Sequence, residues 1–271
     1  MNLEPYFAGI FYQHEQAIIG HSGFLMGQYS DKGWWYYFIV AFLIKTPIAM
    51  LIFMTVSLVV FIGKTPKDEL LNEAFLLTPA AAIFCFFSLN YQDIGLRYIL
   101  PIYPFLFVFA SKAAQIFLIN KMRTGLYVAA VAWYVGASFY IHPHYLAYFN
   151  ELVGGPNNGY KYLVDSNLDW GQDLKGLKKY MQQHGISRIN LSYFGSDSPE
   201  RYGITYNWFP STVLGNPDPE KHSMALKGWF AISATSLQGD YFDNKNQFAW
   251  FKDRKPIAKI GYSIFIYNLD D

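Results

Sequence analysis

Four apolar runs separated by short polar loops constrain this chain more than any other feature. They cover residues 34–62, 70–89, 98–118 and 125–141. A helix needs roughly 17–25 mostly apolar residues to cross the hydrocarbon core of a bilayer, and each run reaches or approaches that length. The first is too long for one simple span, and Lys45 interrupts it just before Thr46-Pro47. Proline is tolerated where a helix starts, but inside a helix it removes a hydrogen bond and clashes with the preceding turn. Residues 34–44 therefore read as an interfacial helix, rich in the aromatics that membrane boundaries favour, and 47–62 as the span proper. Pro101 and Pro104 fall in the first turns of the third run. The alternative, buried helices of a large soluble protein, sits poorly with four such runs joined by short loops.

Composition agrees once the chain is divided. Charged residues make up 15% of the whole, against about a quarter in ordinary soluble domains. Residues 1–141 carry 8 Lys+Arg and 7 Asp+Glu, and residues 142–271 carry 13 of each. The mean hydropathy of +0.11 thus averages a membrane part with a polar part. Near-balanced charge excludes a nucleic-acid binder held by a basic surface, and the apolar content excludes a disordered tail. Cys85 is the single cysteine, so no disulfide framework or Cys-based zinc site forms within one chain. Its apolar run predicts a small core residue.

Loop charge sets an expected orientation. Lys64, Lys67, Lys121 and Arg123 lie in the two loops on one side, and Lys32 and Arg97 on the other, with Lys45 ambiguous. The positive-inside rule makes the first side cytoplasmic and turns both termini outward. Residues 1–33 lack the basic and apolar regions of a signal peptide and read as an ordered outer loop through Tyr6, Phe7, Phe11, Tyr12 and Gly20-His21-Ser22-Gly23. An outward loop at the start suggests the C-terminal part of a longer membrane protein. The expected fold is an α-helical membrane bundle of about four transmembrane helices followed by a small α/β extracytoplasmic domain. The parts are an outer loop at 1–33, a helical region at 34–141 and the polar domain at 142–271.

Within the polar domain, residues 169–184 fit a short amphipathic helix. Leu174, Leu177 and Met181 lie on one face, and Gly185 closes the helix. Residues 189–194, 229–234, 257–260 and 262–267 read as strands, and 247–253 as a short helix. Pro210, Gly215, Asn216, Pro217 and Pro219 mark a long loop.

Three constellations carry possible chemistry. Asp165, Asn167, Asp169, Trp170, Gln172 and Asp173 combine three carboxylates, two amides and an indole, as a sugar-facing surface needs; the same residues also suit a loop that caps the following helix. The missing glycine and terminal glutamate argue against an EF-hand. Arg97, before the third run, suits a lipid phosphate gripped by two parallel hydrogen bonds, or an interfacial anchor paired with Asp93. Lys45 is a second cation candidate, with snorkelling as its alternative. His142-Pro143-His144 with Glu151 lacks zinc-type spacing and reads as interfacial anchoring, so no metal is expected. Phosphate-binding glycine loops and a nucleophile elbow are absent, and no cofactor is expected.

Four blocks in order carry a resemblance: Gly33-Trp34-Trp35-Tyr36-Tyr37-Phe38 with Leu43-Ile44-Lys45-Thr46-Pro47; Gly95-Leu96-Arg97-Tyr98 with Pro101 and Pro104; His142 through Asn150-Glu151 to Gly154-Gly155-Pro156; and Asp165 through Asp173. Together they resemble bacterial glycosyltransferases of family 39 type. These are integral-membrane GT-C enzymes with a phospholipid-linked sugar donor, related to the protein O-mannosyltransferases. The resemblance implies sugar transfer from a polyprenyl-phosphate carrier to an acceptor glycan, lipid or protein outside the cytoplasmic membrane, with an acidic general base. In that family the base lies in the first outer loop after the first membrane helix. No acidic pair stands in such a place here, so no residue inherits that role. Arg97 and Lys45 are carried over as donor-phosphate contacts. A non-enzymatic membrane module that binds a glycan or a partner competes with this reading. A transporter fits less well, since no span is expected to bury an acidic residue.

Overall fold

The computed structural model describes residues 7–9, 11, 22–64, 70–89, 93, 95–210 and 227–270. Two compact units emerge. The first comprises residues 30–145 and 149–155 with the start of the chain, and the second comprises residues 24–29, 146–148 and 156–271. Among the sequence expectations, Tyr6, Tyr12, Gly20, His21, Lys67 and the loop residues Gly215, Asn216, Pro217 and Pro219 lie outside the described residues.

After the helical residues 7–9 and 11, a short hairpin follows, with strands β1 (Gly23–Leu25) and β2 (Gln28–Ser30). Met26 and Gly27 both have positive φ, the turn geometry that matches the twist of paired strands. The sequence reading expected only a loop here.

The first unit is helical. Helix α1 (Tyr37–Lys45) ends at Thr46, whose backbone is extended, and α2 (Ile48–Lys64) starts immediately after Pro47. The two are bent by 114°. The expected break therefore falls at Thr46-Pro47, where proline offers no N–H and the chain must turn. Helix α3 (Leu70–Ser88) follows. The third run is no uniform α-helix: Leu96–Ile102, which contains Pro101, is 3₁₀, then come α4 (Tyr103–Ala110), a 3₁₀ turn (Ser111–Ala113) and α5 (Ala114–Phe117). Helix α6 (Lys121–Ile141) is capped by the Asn120 side chain, which accepts the Arg123 N–H. Among the described residues, three helical segments, 70–88, 96–117 and 121–141, are long and apolar enough to cross a membrane, or four if the bent pair counts as one span.

Packing in this unit is confined to inner faces. Met50, Phe53, Ala110 and Ala113 form a small core. The Ser57 hydroxyl donates to the Ala110 carbonyl at 2.9 Å. Many other apolar side chains are exposed, Leu89 at 79% and Phe139 at 77%, while Tyr37, Phe38, Ile99 and Ile102 are buried. Such exposure is costly in water and favourable in hydrocarbon. It also corrects the expectation for Cys85, which is exposed rather than buried, because an apolar run in a span does not by itself mean a protein core.

The second unit is built on a five-stranded mixed sheet in the order β4-β3-β5-β7-β6. Its strands are β3 (Ile189–Ser192), β4 (Tyr206–Trp208), β5 (Trp229–Ser233), β6 (Ala258–Ile260) and β7 (Ile264–Asn268). Strand β3 pairs parallel with β4 and β5, while β7 pairs antiparallel with β5 and β6. Helix α7 (Leu174–Gln183) lays Leu174, Leu177 and Met181 on one face, against Ile189, Leu191, Ala231, Ile264 and Ile266. On the other face Phe209, Phe230, Phe248, Phe251 and Tyr267 pack ring against ring in tilted and edge-to-face pairs. Two short helices, α8 (Ala234–Gln238) and α9 (Ala249–Lys252), complete the unit.

Sequence periodicity located this sheet and α7, with differences at the ends. The helix begins at Leu174 rather than 169, because Gly171 is left-handed and residues 165–167 form a separate 3₁₀ turn. Strand β4 and helix α8 were not foreseen, being three and five residues long, too short for a periodic signal.

Candidate functional site

In the helical unit the candidate site forms at the α1–α2 bend. A helix end leaves carbonyls without intrahelical partners, and Pro47 cannot supply an N–H. Asn150 fills the gap. Its backbone N–H donates to the Ile44 carbonyl at 2.8 Å, and its side-chain amide donates to Leu43 at 2.6 Å and Thr46 at 2.8 Å. The neighbouring Phe149 ring lies 4.2 Å from the Lys45 ammonium. Thr46 and Tyr103 share a hydroxyl hydrogen bond of 2.8 Å, and the Tyr103 ring packs on Phe42 at 5.5 Å. Phe42 also lines an apolar groove of about 410 Å³ with Met54, Leu77, Phe84, Ile102 and Leu106. Lys45 stands three residues beyond Phe42, so it is a neighbour on the same side of α1.

Arg97 is exposed at the start of the third helical segment, with its guanidinium against Tyr98. Asp93 is buried and accepts the Trp34 N–H. Burial pushes its carboxyl up to about 7, with that N–H acting in the opposite sense. Gly33 has positive φ, and a side chain there would collide with the Asp93 carboxylate.

The 165–173 segment lies wholly in the second unit. The structure does gather its residues, but mostly inward. Asp165, Asn167, Asp169 and Asp173 are buried, whereas Trp170 and Gln172 are exposed. Asp165 has a φ of 55° and accepts the Tyr241 hydroxyl; its N–H donates to Thr235 Oγ1 at 2.9 Å. Asn167 donates to the Val164 carbonyl at 3.3 Å. One Asp169 oxygen accepts the Gly171 N–H at 3.0 Å, and the other has no hydrogen bond among the described residues. Burial, reinforced by the nearby Asp173 and Asp165 carboxylates, holds the Asp169 carboxyl well above its ordinary range. Gln172 folds back, accepting the Trp170 N–H at 2.7 Å and donating to the Leu168 carbonyl at 3.1 Å. Asp173 occupies the N-cap position of α7, yet its side chain makes no capping bond and instead accepts the Ser263 hydroxyl at 2.6 Å.

His142 Nδ1 lies 3.1 Å from the Tyr145 hydroxyl, and Glu151 accepts the Trp133 indole N–H at 3.1 Å. Among the described residues no group of three or more His, Cys, Asp or Glu side chains is placed to hold a metal ion.

Sequence reasoning missed two features. Asn150 had no assigned role, although a Lys-Thr-Pro break in an apolar run signals carbonyls in need of donors. The expectation that no span buries an acidic residue is overturned: Glu73, in the first turn of α3, is buried and paired with Lys112 at 2.7 Å. A lone acid in one run and a lone lysine in another signal such a pair only once both runs are read as neighbouring spans.

Comparisons with protein-family models, with characterised proteins and with solved structures found no match.

Proposed function

We propose that this chain is an integral-membrane glycosyltransferase of GT-C type, or its C-terminal part, which transfers a sugar from a polyprenyl-phosphate donor to an acceptor outside the cytoplasmic membrane. The observation that carries this reading is the apolar groove with Lys45 one helical turn beyond its Phe42 wall. An isoprenoid chain needs a channel without polar groups, and its phosphate needs a cation at the channel's end. As the bond from sugar to phosphate oxygen breaks, negative charge grows on the departing lipid phosphate, and Lys45 with Arg97 offsets it. The acceptor hydroxyl loses its proton to a carboxylate, and no residue of this chain is assigned that task. Within the second unit, taken by itself, the exposed indole of Trp170 suits a sugar ring.

The non-enzymatic glycan- or partner-binding module keeps one observation in its favour. The carboxylates of the 165–173 segment are turned inward and bonded within the fold, as in a loop built for shape.

The test is transfer of labelled sugar from a polyprenyl-phosphate donor by the full-length gene product, compared with Arg97→Ala and Lys45→Met. Removing a cation that stabilises a leaving group is expected to lower kcat/KM by about 10²-fold. Turnover unchanged in both variants eliminates the two cations, and no transfer by the parent protein leaves the binding module as the reading.

A further inference from the structure

We infer that Asn150 is a positioning residue for a lipid-phosphate binding point at the α1–α2 bend, with Phe149 seating the Lys45 ammonium it presents. The inference rests on the proposed reading of Lys45 and goes beyond it to what holds that lysine in place.

A helix break at membrane depth is tolerated only where other groups satisfy the freed carbonyls. Here one residue supplies three bonds to the end of α1 and the residue that follows it, at Leu43, Ile44 and Thr46. Asn150 is itself fully buried, and its side-chain oxygen accepts the Leu152 N–H at 3.1 Å, so the amide orientation is fixed at both ends. The next residue back, Phe149, is also buried and offers its ring to the lysine. An aromatic face attracts an ammonium at this range. The Thr46–Tyr103 hydroxyl pair ties the same bend to α4. Both the main chain and the head group of Lys45 are therefore held. A lysine that only snorkels needs none of this, since a flexible stem finds the interface from many starting points. Fixed placement beside an apolar groove suits a ligand whose charge sits at one defined distance from an apolar tail. A lipid phosphate has that form.

Asparagine is the side chain this geometry requires. The substitution Asn150→Asp sets a carboxylate against two carbonyl oxygens, removing the donors while keeping the shape. Phe149→Leu keeps the bulk and removes the ring face. Cys85 is exposed and lines the groove, so its alkylation by N-ethylmaleimide reports groove occupancy in the detergent-solubilised chain. The probes are farnesyl phosphate, farnesol and inorganic phosphate.

Both variants are expected to weaken protection by farnesyl phosphate about tenfold and to leave protection by farnesol unchanged. Unchanged protection by farnesyl phosphate overturns the inference. So does an equal loss with farnesol, because that marks a general loss of structure. Competition by inorganic phosphate at the concentration of farnesyl phosphate assigns the point to free phosphate and overturns the lipid assignment. Lys45→Met, run in parallel, separates the two levels: if it leaves farnesyl phosphate protection intact, the proposed role of Lys45 fails first. If it abolishes protection while the Asn150 and Phe149 variants do not, only the positioning claim fails.

Discussion

Asp93 and Asp169 are two buried carboxyls whose surroundings favour the neutral form. For a carboxyl raised in the folded state, the stabilising contribution is complete below the unfolded value and is lost as pH rises through the folded one. For Asp93 that window runs from the ordinary 3.8 up to about 7. Asp93→Asn keeps an acceptor for the Trp34 N–H and cannot ionise. Its melting temperature is expected to match the parent's near pH 4 and to exceed it by a few degrees at pH 8, about where the native carboxylate is charged. Identical pH profiles for parent and variant refute the assignment. Gly261 gives a second test. Its φ is 58°, and a side chain there would run into the Asp173 carboxylate, which in turn holds Ser263. Gly261→Ala is expected to cost about 2 kcal/mol or more in denaturant unfolding of the second unit. Neither environment was legible in the sequence. Asp93 and Trp34 are 59 positions apart, and Asp173 and Ser263 are 90 apart, so no local pattern links them.

The informative element pair is α3 with the 3₁₀ turn Ser111–Ala113 that follows α4. The Lys112–Glu73 pair joins them, with side chains only 13% and 12% exposed. Breaking a buried pair by removing one partner leaves an uncompensated charge and costs about 3–5 kcal/mol, whereas replacing both partners is often close to neutral. Glu73→Gln and Lys112→Met are each expected to lower the unfolding midpoint in detergent strongly. The double variant should recover most of the loss, and additive losses would show that the charges act separately. Element identity itself was readable where length and period are strong. Residues 121–141 and 70–88 are helical as their apolar runs required, and α7 carries Leu174, Leu177 and Met181 inward at helical spacing. Its start lies at Leu174 rather than 169 because the left-handed Gly171 interrupts the segment, and Asp173 at the N-cap position bonds Ser263 instead of the helix end.

At the scale of the whole molecule, two units share the chain, and among the described residues three helical segments of the first are long and apolar enough to span a bilayer. The proposed orientation predicts opposite labelling for two sites in a Cys85→Ala background. Lys179→Cys, exposed on α7, is expected to react with a membrane-impermeant maleimide in intact cells. Lys121→Cys, at the start of α6, is expected to react only after the membrane is opened. The reverse pattern inverts the topology. The sequence alone determined the long apolar runs, the break at Thr46-Pro47 and the change to a mixed α/β unit, because hydrophobic period, proline and charge act over a few neighbouring residues. Tertiary structure decided the rest: that Asn150 answers the carbonyls of a break more than 100 positions away, that Glu73 meets Lys112, and that the acids of 165–173 turn inward. A buried polar group must find a partner wherever the folded chain brings one, and distance along the sequence does not enter that requirement.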